Sequence, residues 1–568
     1  MTNSRIIYIT EESHCTVLNT SHRRVQVVFF TVLALLLILV LRIFDLSVFS
    51  FGEFQHSTNS DSQNIRIRND IVDRNGIILA STLPTASAYI YPKHFIPTDH
   101  SFALISKNLG IDIKELRERI ANNKHFAWLK RHITPKEQQK LHNLGLLGVS
   151  FIKDQKRIYP HKNLFSHIIG LVDIDNQGIS GLESSFDMYL QDDTKQALQT
   201  TLDAKVQYIV KQELKDAIKK NDAKGGVAIV MDIHTGELLS SVSLPDFNPY
   251  GIDAINTSML FNKATLGVYE MGSVLKALTL AMAIDSGKID VDDSFDVSTP
   301  LKIGKYKIKD YRGKGGILSV PEILMYSSNI GTAKMIQEVG IPKQKEYFKK
   351  LGLLSRINVE VPEISNSIYP SDYRWKELRS ITMSYGHGIS MTPIHLIQAF
   401  SAIVNGGLFR KVTLIKGKND KIKGKKMFSP RTSFLMSKIL RLTAKSGSAK
   451  RANLNEYLIG AKTGTAEKIV NGRYDKNLNT TLCVASFPMN DPKYAILILV
   501  DEPKGNEINH GFTTGGMVAA PVISNIVPKI APILNVAPVD HKDPKIIKAL
   551  YINHKPMYRG YASATPRR

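Results

Sequence analysis

The hydrophobic pattern begins with a long apolar run close to the start of the chain. Val25–Leu41 contains no charged residue, and its only polar residues are Gln26 and Thr31. A run of this length suits a membrane-spanning helix, and it lacks the polar face expected of a helix packed on a globular core. Because no small-residue cleavage pattern follows it, an uncleaved transmembrane anchor over 24–44 is favoured over a signal peptide.

The charges around this run predict its orientation. Arg23 and Arg24 precede it, whereas Arg42 on the far side is offset by Asp45. The excess of positive charge on the N-terminal side places residues 1–23 in the cytoplasm as a short tail. Everything after about residue 45 is then expected outside the membrane.

The next region, 45–215, carries mixed strand and helix patterns and is predicted to be an α+β domain. It begins with a polar stalk over 45–64, followed by the alternating segment Ile65–Arg68. The turn signal Asp73–Gly76 separates that segment from the apolar Ile77–Ala80, so two short strands are expected to form a hairpin. Helical spacing follows over 100–145, and strand and turn signals follow over 156–190.

Residues 220–535 show a different order, in which strands come first, helices follow, and strands return. Strands are predicted at Gly226–Met231 and Glu237–Val242, and again at Thr480–Ser486 and Tyr494–Val500, with helical spacing dominant over 273–450. This order predicts an antiparallel sheet completed by distant parts of the chain and flanked by helices. The basic C-terminal segment, 536–568, is predicted to be a tail.

Composition narrows the possible partners. The 568 residues suggest three or four units at roughly 150 residues each, and 43% apolar with 22% charged residues is an ordinary globular mixture. The net charge of +23 suits nucleic acid, anionic lipid or an anionic wall polymer. The predicted topology places most of this charge outside the membrane, so nucleic acid is not expected as a partner. Cys15 and Cys483 lie on opposite sides, so they form neither a disulfide nor a metal site.

The first candidate for chemistry is Ser273-Val274-Leu275-Lys276, at the start of an apolar helical run. Residues three apart on a helix share a face, and a desolvated lysine amine can accept the proton of a serine hydroxyl. Alone the pattern is weak. It also occurs at Ser150–Lys153, where an ordinary strand with a solvated lysine is predicted.

Two later motifs strengthen this candidate. Ser327-Ser328-Asn329 and Lys462-Thr463-Gly464-Thr465 follow Ser273 in that order. Their order, S-x-x-K, S-x-N and K-T-G, is the one found in penicillin-binding proteins and serine β-lactamases, although the middle motif here reads S-S-N.

Each motif has a predicted chemical task. Ser327 is expected to relay a proton between Lys276 and a leaving amine, and Asn329 to hold Lys276 and a substrate amide. Lys462 is expected to act as a fixed cation for an anionic substrate terminus. Gly464 lets a peptide lie along its strand, and Thr463 and Thr465 offer hydroxyls. The backbone N–H groups of Ser273 and Thr465 are the expected oxyanion hole.

With these motifs the chain resembles the class B, monofunctional penicillin-binding proteins. The resemblance covers about 65–520 and includes segments typical of the non-catalytic pedestal, which is a domain of the penicillin-binding protein dimerisation type. The segment Val172–Gly178 and the compact first region are most similar to the cell-division, FtsI-type members. The further matching segments are Asp73–Gly76, Arg157–Pro160, His167–Gly170, Gly181–Glu183, Met231–Asp232, Thr235–Glu237, Ser384–Gly388 and Thr392–Pro393.

This resemblance implies a serine D,D-transpeptidase that crosslinks the stem peptides of septal peptidoglycan and is acylated by β-lactams. It implies a bacterial inner-membrane protein with a periplasmic catalytic domain, a SEDS-type glycosyltransferase and other division proteins as partners, and no cofactor or metal. The alternatives are an elongation-type transpeptidase, a D,D-carboxypeptidase, and a non-enzymatic division scaffold or β-lactam sensor.

Three residues depart from the family pattern, and one basic segment has two interpretations. Met271 stands in place of proline, and Asn69 and Ala461 stand in place of glycines. The loss of proline removes a rigid helix entry and is expected to loosen Ser273. The basic segment 410–426 is favoured as a solvated hairpin, with contact to anionic glycan or lipid as the alternative.

Overall fold

The computed structural model describes residues 26–41, 67–251, 256–311, 313–418 and 424–554. The chain divides into two units, 1–65 and 66–568. In the first unit, residues 26–41 form a helix with exposed side chains. No helix among the described residues is both long and apolar enough to span a membrane. The predicted tail over 1–23 and stalk over 45–64 lie outside the described residues.

The first part of the second unit is an α+β domain, the pedestal, built around one long strand. This strand, β2, pairs antiparallel with β1, β3 and β4, and β1 pairs parallel with β5. The strands are β1 (Ile71–Val72), β2 (Ile78–Ile90), β3 (Ala127–Ile133), β4 (Val149–Ile158) and β5 (Leu198–Gln199). The helices are α1 (Asp99–Leu109), α2 (Ile113–Ala121), α3 (Pro135–His142), α4 (Ser166–Ile169), α5 (Gly181–Ser185) and α6 (Asp187–Leu190).

The prediction of a strand over Ile65–Arg68 is wrong for 67 and 68, the two of these residues that the structure describes. Residues 67–70 are not in a strand, and the hairpin begins only at Ile71. The Arg68 side chain is instead buried, and its guanidinium contacts Glu183 at 2.7 Å and Asp187 at 2.6 Å. The alternation of apolar and basic residues therefore reflects a buried ion pair, which period-2 spacing does not reveal.

Glu183 lies between two arginines in the pedestal core. Its Oε2 contacts Arg68 Nε and its Oε1 contacts Arg157 Nε, each at 2.7 Å, and all three side chains are almost completely buried. Removal of either arginine would leave a buried carboxylate charge without its full compensation, and such a charge is strongly destabilising. This network joins the start of the domain to β4 and α5.

The second part carries the three predicted catalytic motifs, and its antiparallel sheet has the order β16-β17-β18-β6-β7. The predicted completion of this sheet by distant segments is confirmed, because β18 pairs with β6 over its full length. The sheet strands are β6 (Gly225–Asp232), β7 (Leu238–Leu244), β16 (Gly460–Val470), β17 (Arg473–Phe487) and β18 (Tyr494–Asp501). Short strands elsewhere are β8 (Tyr269–Glu270), β9 (Ser294–Asp296), β10 (Leu301–Ile303), β11 (Tyr306–Ile308), β12 (Ile317–Ser319), β13 (Ser390–Met391), β14 (Leu408–Phe409) and β15 (Lys425–Lys426).

Helices cover both faces of this sheet. Alternate residues of β6 enter different cores: Val227 and Ile229 join a cluster that includes α8, whereas Ala228 and Val230 join one that includes α7 and α15. This explains why β6 reads as a continuous apolar run rather than an alternating one. The helices are α7 (Ala204–Lys220), α8 (Leu275–Asp285), α9 (Val320–Met325), α10 (Asn329–Val339), α11 (Ile341–Lys350), α12 (Glu377–Ser384), α13 (Pro393–Ser401), α14 (Pro430–Ser446), α15 (Ala520–Ile530) and α16 (Pro544–Leu550).

Much of the predicted C-terminal tail is folded. Within 536–554, α16 packs against α14, and Ile552 is 9% exposed in the core that includes α8. Ser319, the N-cap of α9, donates its hydroxyl to the His554 carbonyl at 2.9 Å. The prediction of a tail is therefore wrong for 536–554, where a few apolar residues suffice to bind the segment, and 555–568 lie outside the described residues.

The basic segment 410–426 includes one strand of a small hairpin. β14 pairs antiparallel with β15, with Leu408 opposite Lys426. Residues 419–423 between them lie outside the described residues. This supports the favoured interpretation of a hairpin.

Candidate active site

Ser273 lies in a 3-10 turn, Gly272–Val274, that leads directly into the buried helix α8. Gly272 has a positive φ of 49°, and a Cβ on it would lie 2.5 Å from the Thr465 carbonyl oxygen. Only glycine tolerates both constraints. The turn that carries Ser273 therefore lies directly against strand β16, which carries the K-T-G motif.

Lys276, one turn further along α8, is almost completely buried and points to the S-x-N turn. Its Nζ donates to the Ser327 carbonyl at 2.5 Å and to Ser327 Oγ at 3.2 Å. Burial lowers the pKa of Lys276 well below its ordinary value, and the nearby charge of Lys462 lowers it further, whereas Asp310 opposes the shift. A neutral amine can accept a proton, so the shift favours the predicted role as a base.

The Ser273 hydroxyl has no hydrogen-bond partner among the residues that the structure describes. It is part-exposed and lines the same cleft as Lys276 and Ser327. Activation of Ser273 by Lys276 therefore stays a prediction.

Ser327 occupies a strained position between α9 and α10. Its φ is 60°, a left-handed conformation that is uncommon for residues other than glycine. The turn is held by the Ser328 N–H, which donates to the Ile323 carbonyl at 2.9 Å. Such strain persists only where the surroundings fix it, and it is frequent at active sites. Here it presents the Ser327 hydroxyl to both motif lysines.

The expected contact of Asn329 with Lys276 is wrong for this structure. The Asn329 side chain donates to the Lys309 carbonyl at 2.9 Å, and the Lys276 amine is bonded to Ser327 instead. Asn329 does line the cleft beside Ser327, so its predicted contact with a substrate amide stays open.

Asp310 holds the S-x-N turn, although no sequence motif indicated it. Its carboxylate accepts from the Ser328 hydroxyl at 2.7 Å and from the backbone N–H groups of Asn329 and Ile330 at 2.5 and 2.9 Å. An anionic group at a helix N-terminus satisfies unpaired N–H groups and the helix dipole. Asp310 precedes α10 by a long segment of chain, so no local spacing reveals this cap.

The structure places Lys462, which was predicted to be a fixed cation for an anionic substrate terminus, below the surface of the site. It is completely buried, and its Nζ donates to Ser327 Oγ at 3.0 Å and to the Thr463 carbonyl at 2.9 Å. Burial lowers its pKa to about 7. The amine is therefore partly neutral near pH 7, because desolvation disfavours the charged form. Lys462 can exchange protons with Ser327, and its charge varies in the physiological range.

Thr463, Gly464 and Thr465 lie in β16, as the strand-recognition prediction requires. A Cβ on Gly464 would lie 2.5 Å from the Met271 carbonyl oxygen. The Thr465 hydroxyl accepts from the Gly515 N–H at 3.0 Å. Gly464 thus permits the close approach of β16 to the turn that carries Ser273.

Seven of the eight predicted site residues line one open cleft of about 630 Å³, and Lys462 lies buried behind them. The seven are Ser273, Lys276, Ser327, Asn329, Thr463, Gly464 and Thr465. The same cleft is lined by Tyr326 and His387, which the motifs did not indicate as functional. No cluster of metal-ligating side chains occurs in the described part of the chain.

Two of the three departures from the family pattern are buried, and the third is half-buried and hydrogen-bonded. Met271 and Ala461 are completely buried, in the cores on opposite faces of the sheet. The Asn69 side chain donates to the Asp192 carbonyl at 2.7 Å. Packing around Met271 supplies a restraint on the Ser273 turn, so the expected loosening has no support in the structure.

Comparison with known proteins agrees with this geometry. Residues 226–527 match the penicillin-binding protein transpeptidase domain, and residues 66–222 match the penicillin-binding protein dimerisation domain. The fold is also similar to a crystal structure of penicillin-binding protein 3 from Mycobacterium tuberculosis complexed with aztreonam. That structure has a TM-score of 0.66 and 22% identity, covering 84% of this chain and 97% of the other.

Curated relatives cover most of the chain. The "Probable peptidoglycan D,D-transpeptidase FtsI" of Caulobacter vibrioides is 34% identical over 487 residues, covering 83% of this chain and 82% of the relative. The "Probable peptidoglycan D,D-transpeptidase PenA" of Neisseria gonorrhoeae is 29% identical over 502 residues, with 83% and 85% covered. On the domain matches and these relatives, the chain belongs to the class B penicillin-binding proteins and joins a dimerisation-type pedestal to a transpeptidase domain.

Proposed function

We propose that this protein is a peptidoglycan D,D-transpeptidase that crosslinks stem peptides through an acyl-enzyme on Ser273. The observation that carries the proposal is the convergence of Lys276 and Lys462 on the Ser327 hydroxyl, at 3.2 and 3.0 Å, in the cleft that Ser273 lines. The relatives that bear the name peptidoglycan D,D-transpeptidase support the same reaction.

In the first half-reaction, Ser273 Oγ attacks the carbonyl between the two D-alanines of a donor stem peptide. Lys276 accepts the hydroxyl proton, and backbone N–H groups of Ser273 and Thr465 stabilise the oxyanion. Ser327 then donates a proton to the departing D-alanine amine and is reprotonated by a lysine ammonium beside it. The C–N bond breaks, and an ester on Ser273 remains.

In the second half-reaction, an amine of a neighbouring stem peptide attacks the ester carbonyl. The new amide bond forms and the Ser273 hydroxyl is restored. The carboxylate of the donor peptide is expected at Thr463 and Thr465, and the peptide backbone along β16 beside Gly464. β-Lactams acylate Ser273 in the same way.

The cellular setting is part of the proposal. Relatives named FtsI favour a septal role over an elongation role. We propose a single-pass inner-membrane anchor over 24–44, with the catalytic domain in the periplasm and a SEDS-type glycosyltransferase as partner. The apolar run Val25–Leu41 and the arginines before it support the anchor.

Labelling with a fluorescent penicillin tests the nucleophile. We expect the purified full-length protein to label, Ser273→Ala to lose labelling, and Ser150→Ala to keep it. Ser150 is a matched control because it begins the other S-x-x-K sequence, in β4 of the pedestal. Labelling of Ser273→Ala would overturn the assignment.

A second assay separates a transpeptidase from its alternatives. With a thioester donor and a D-amino acid acceptor, a transpeptidase forms the exchanged amide. Hydrolysis without exchange would indicate a D,D-carboxypeptidase. Stable acylation by penicillin with no turnover of the thioester would indicate a β-lactam sensor or a scaffold.

A further inference from the structure

His387 lies beside the turn that carries Ser273. A Cβ on Gly386 would lie 2.1 Å from the Gly272 carbonyl oxygen, so these two backbones are in direct contact. Strand β13, which follows His387, pairs with β8, which precedes Ser273, and places Ser390 opposite Glu270. The imidazole lines the catalytic cleft and is 34% exposed.

Glu270 fixes the imidazole from behind. The carboxylate is nearly buried, and its Oε1 accepts from the Gly388 N–H at 2.7 Å and from the Tyr474 hydroxyl at 3.0 Å. Its Oε2 lies 3.0 Å from His387 Nδ1. Because an ionised carboxylate is only an acceptor, Nδ1 carries the proton in the neutral ring and Nε2 is left as the basic nitrogen. Nε2 has no hydrogen-bond partner within the described residues.

The two motif lysines do not account for one proton of the reaction. Both bind Ser327, where the Ser273 proton and the leaving amine are handled. An acceptor amine with an ordinary pKa near that of lysine is an ammonium at pH 7 and is not nucleophilic until it loses a proton. A base is therefore needed on the acceptor side.

We propose that His387 is the general base of the second half-reaction and that Glu270 and Tyr474 are its positioning residues. This inference deepens the proposed function and rests on it. Nε2 accepts one proton from the acceptor ammonium and releases it to solvent through the open cleft. The neutral amine then attacks the ester carbon. The C–N bond forms, the bond to Ser273 Oγ breaks, and the second nitrogen proton passes through Lys276 to that oxygen.

The groups around His387 differ in charge and in distance from its ring. Glu270 contacts it, and the rings of Tyr385 and Tyr474 pack edge-on with centroids at 5.7 and 5.8 Å. A guanidinium nitrogen of Arg379 lies 3.5 Å from where a Cβ on Gly388 would lie. Among the described residues that line the cleft, the other charged ones are Lys276, Glu467 and Lys476. The direct partner is thus an anion, and the cations lie further around the cleft.

The test measures the two half-reactions separately in the full chain. Penicillin acylation reports the first, and aminolysis of the thioester by a D-amino acid reports the second, from pH 5.5 to 8.5. For His387→Gln we expect aminolysis to fall by roughly 10²-fold or more. Acylation should change by less than about threefold, because the base acts only after the ester forms.

Controls distinguish a base from a packing residue. His125→Gln, an exposed histidine of the pedestal, should change neither rate. Added imidazole should restore aminolysis in His387→Gly, and Tyr474→Phe should slow aminolysis without preventing acylation. If His387→Gln slows both rates equally, or leaves aminolysis unchanged, the role of His387 as a base is overturned but the proposed function is not. A wild-type protein that does not label with penicillin would instead overturn the proposed function.

Discussion

Lys276 and Lys462 donate to the same oxygen, the Ser327 hydroxyl, from 3.2 and 3.0 Å. Two ammonium groups this close repel each other in a low dielectric. Charge on Lys462 accordingly lowers the pKa of Lys276, in addition to burial. The two amines together therefore carry less than two positive charges near neutral pH. A lysine amine that is neutral can act as a base.

The first prediction concerns the pH dependence of acylation. Because the pKa of Lys276 is well below 10.5, the neutral base is present at pH values where an ordinary lysine is charged. The second-order rate of penicillin acylation should rise with pH and level off well before pH 10. Stopped-flow fluorescence over pH 5–10 measures it. A rate that rises steadily through pH 10 would contradict the role of Lys276.

The second prediction concerns stability and Lys462. The unfolded chain binds a proton at this lysine below about pH 10.5, whereas the folded chain binds it only below about 7. The difference of about 3.5 pKa units corresponds to an order of magnitude of 5 kcal/mol. The free energy of unfolding is lowered by this full amount below pH 7. The penalty disappears as the pH rises to about 10.5.

Lys462→Met should remove that penalty. The free energy of unfolding of the variant minus that of wild type should be larger at pH 6.5 than at pH 9.5. The reason is that the variant lacks the one group, Lys462, in which the two proteins differ. Urea unfolding at both pH values gives the double difference. Lys153→Met, on the pedestal surface, should show no such change between the two pH values.

The third prediction concerns Asp310. Asp310→Asn removes the charge that accepts from Ser328 and Asn329, and hydrogen bonds to charged groups contribute about 1.5–3 kcal/mol each. We expect a lower melting temperature and at least a roughly tenfold slower acylation, since a small misplacement of the Ser327 turn is costly for rate. Asp372→Asn, whose side chain is 94% exposed, should leave both unchanged. Unchanged acylation in Asp310→Asn would contradict the positioning role.

The fourth prediction concerns the contact between β16 and the serine turn. In Gly464→Ala the new methyl group would lie 2.5 Å from the Met271 carbonyl oxygen, a contact that neither backbone can keep. The strand must move away from Ser273, and we expect acylation to slow by roughly 10²-fold. Gly251→Ala, where no atom lies within 4 Å of the added carbon, is the matched control. Penicillin acylation rates measure both.

The fifth prediction concerns the pedestal. Glu183→Gln leaves the buried guanidinium groups of Arg68 and Arg157 without their shared anion, and breaking such a buried pair costs about 3–5 kcal/mol. Thermal unfolding should therefore begin at a lower temperature than in wild type. Asp175→Asn alters a more exposed ion pair with Arg131 and should have little effect. Equal stability of the two variants would contradict the importance of the buried network.

The catalytic motifs were predictable because each is short and carries its chemistry in its own residues. Ser273 and Lys276 lie at the start of one helix, and K-T-G lies on one strand, as their spacing indicated. Asp310, Glu270 and His387 were not predictable, because their roles depend on loops and strand pairs that join distant segments. The protonation of Lys462 was also missed, since burial depends on the whole fold.

Secondary structure was likewise predictable where local residues determine it and not where distant contacts do. The apolar strands β6 and β18 were found from local composition, because both their faces are buried. The strand prediction at Arg68 was wrong because an arginine in an alternating segment is taken to face solvent. The sequence does not show that Glu183 lies beside it in the core. The C-terminal segment reads as a tail because its contacts at Ser319 and in the core are few and distant in sequence.

The order of strands in the catalytic sheet has a consequence for synthesis. β6 and β7 leave the ribosome early, but β18, which pairs with the other edge of β6, follows only at Tyr494–Asp501. Until then one edge of β6, a strand that is apolar except for its last residue, has no partner, and such edges promote aggregation. Ser273 is likewise made long before Lys462. A nascent chain of this enzyme is therefore without activity until Lys462 and β18 have been translated, and one edge of β6 needs protection during that time.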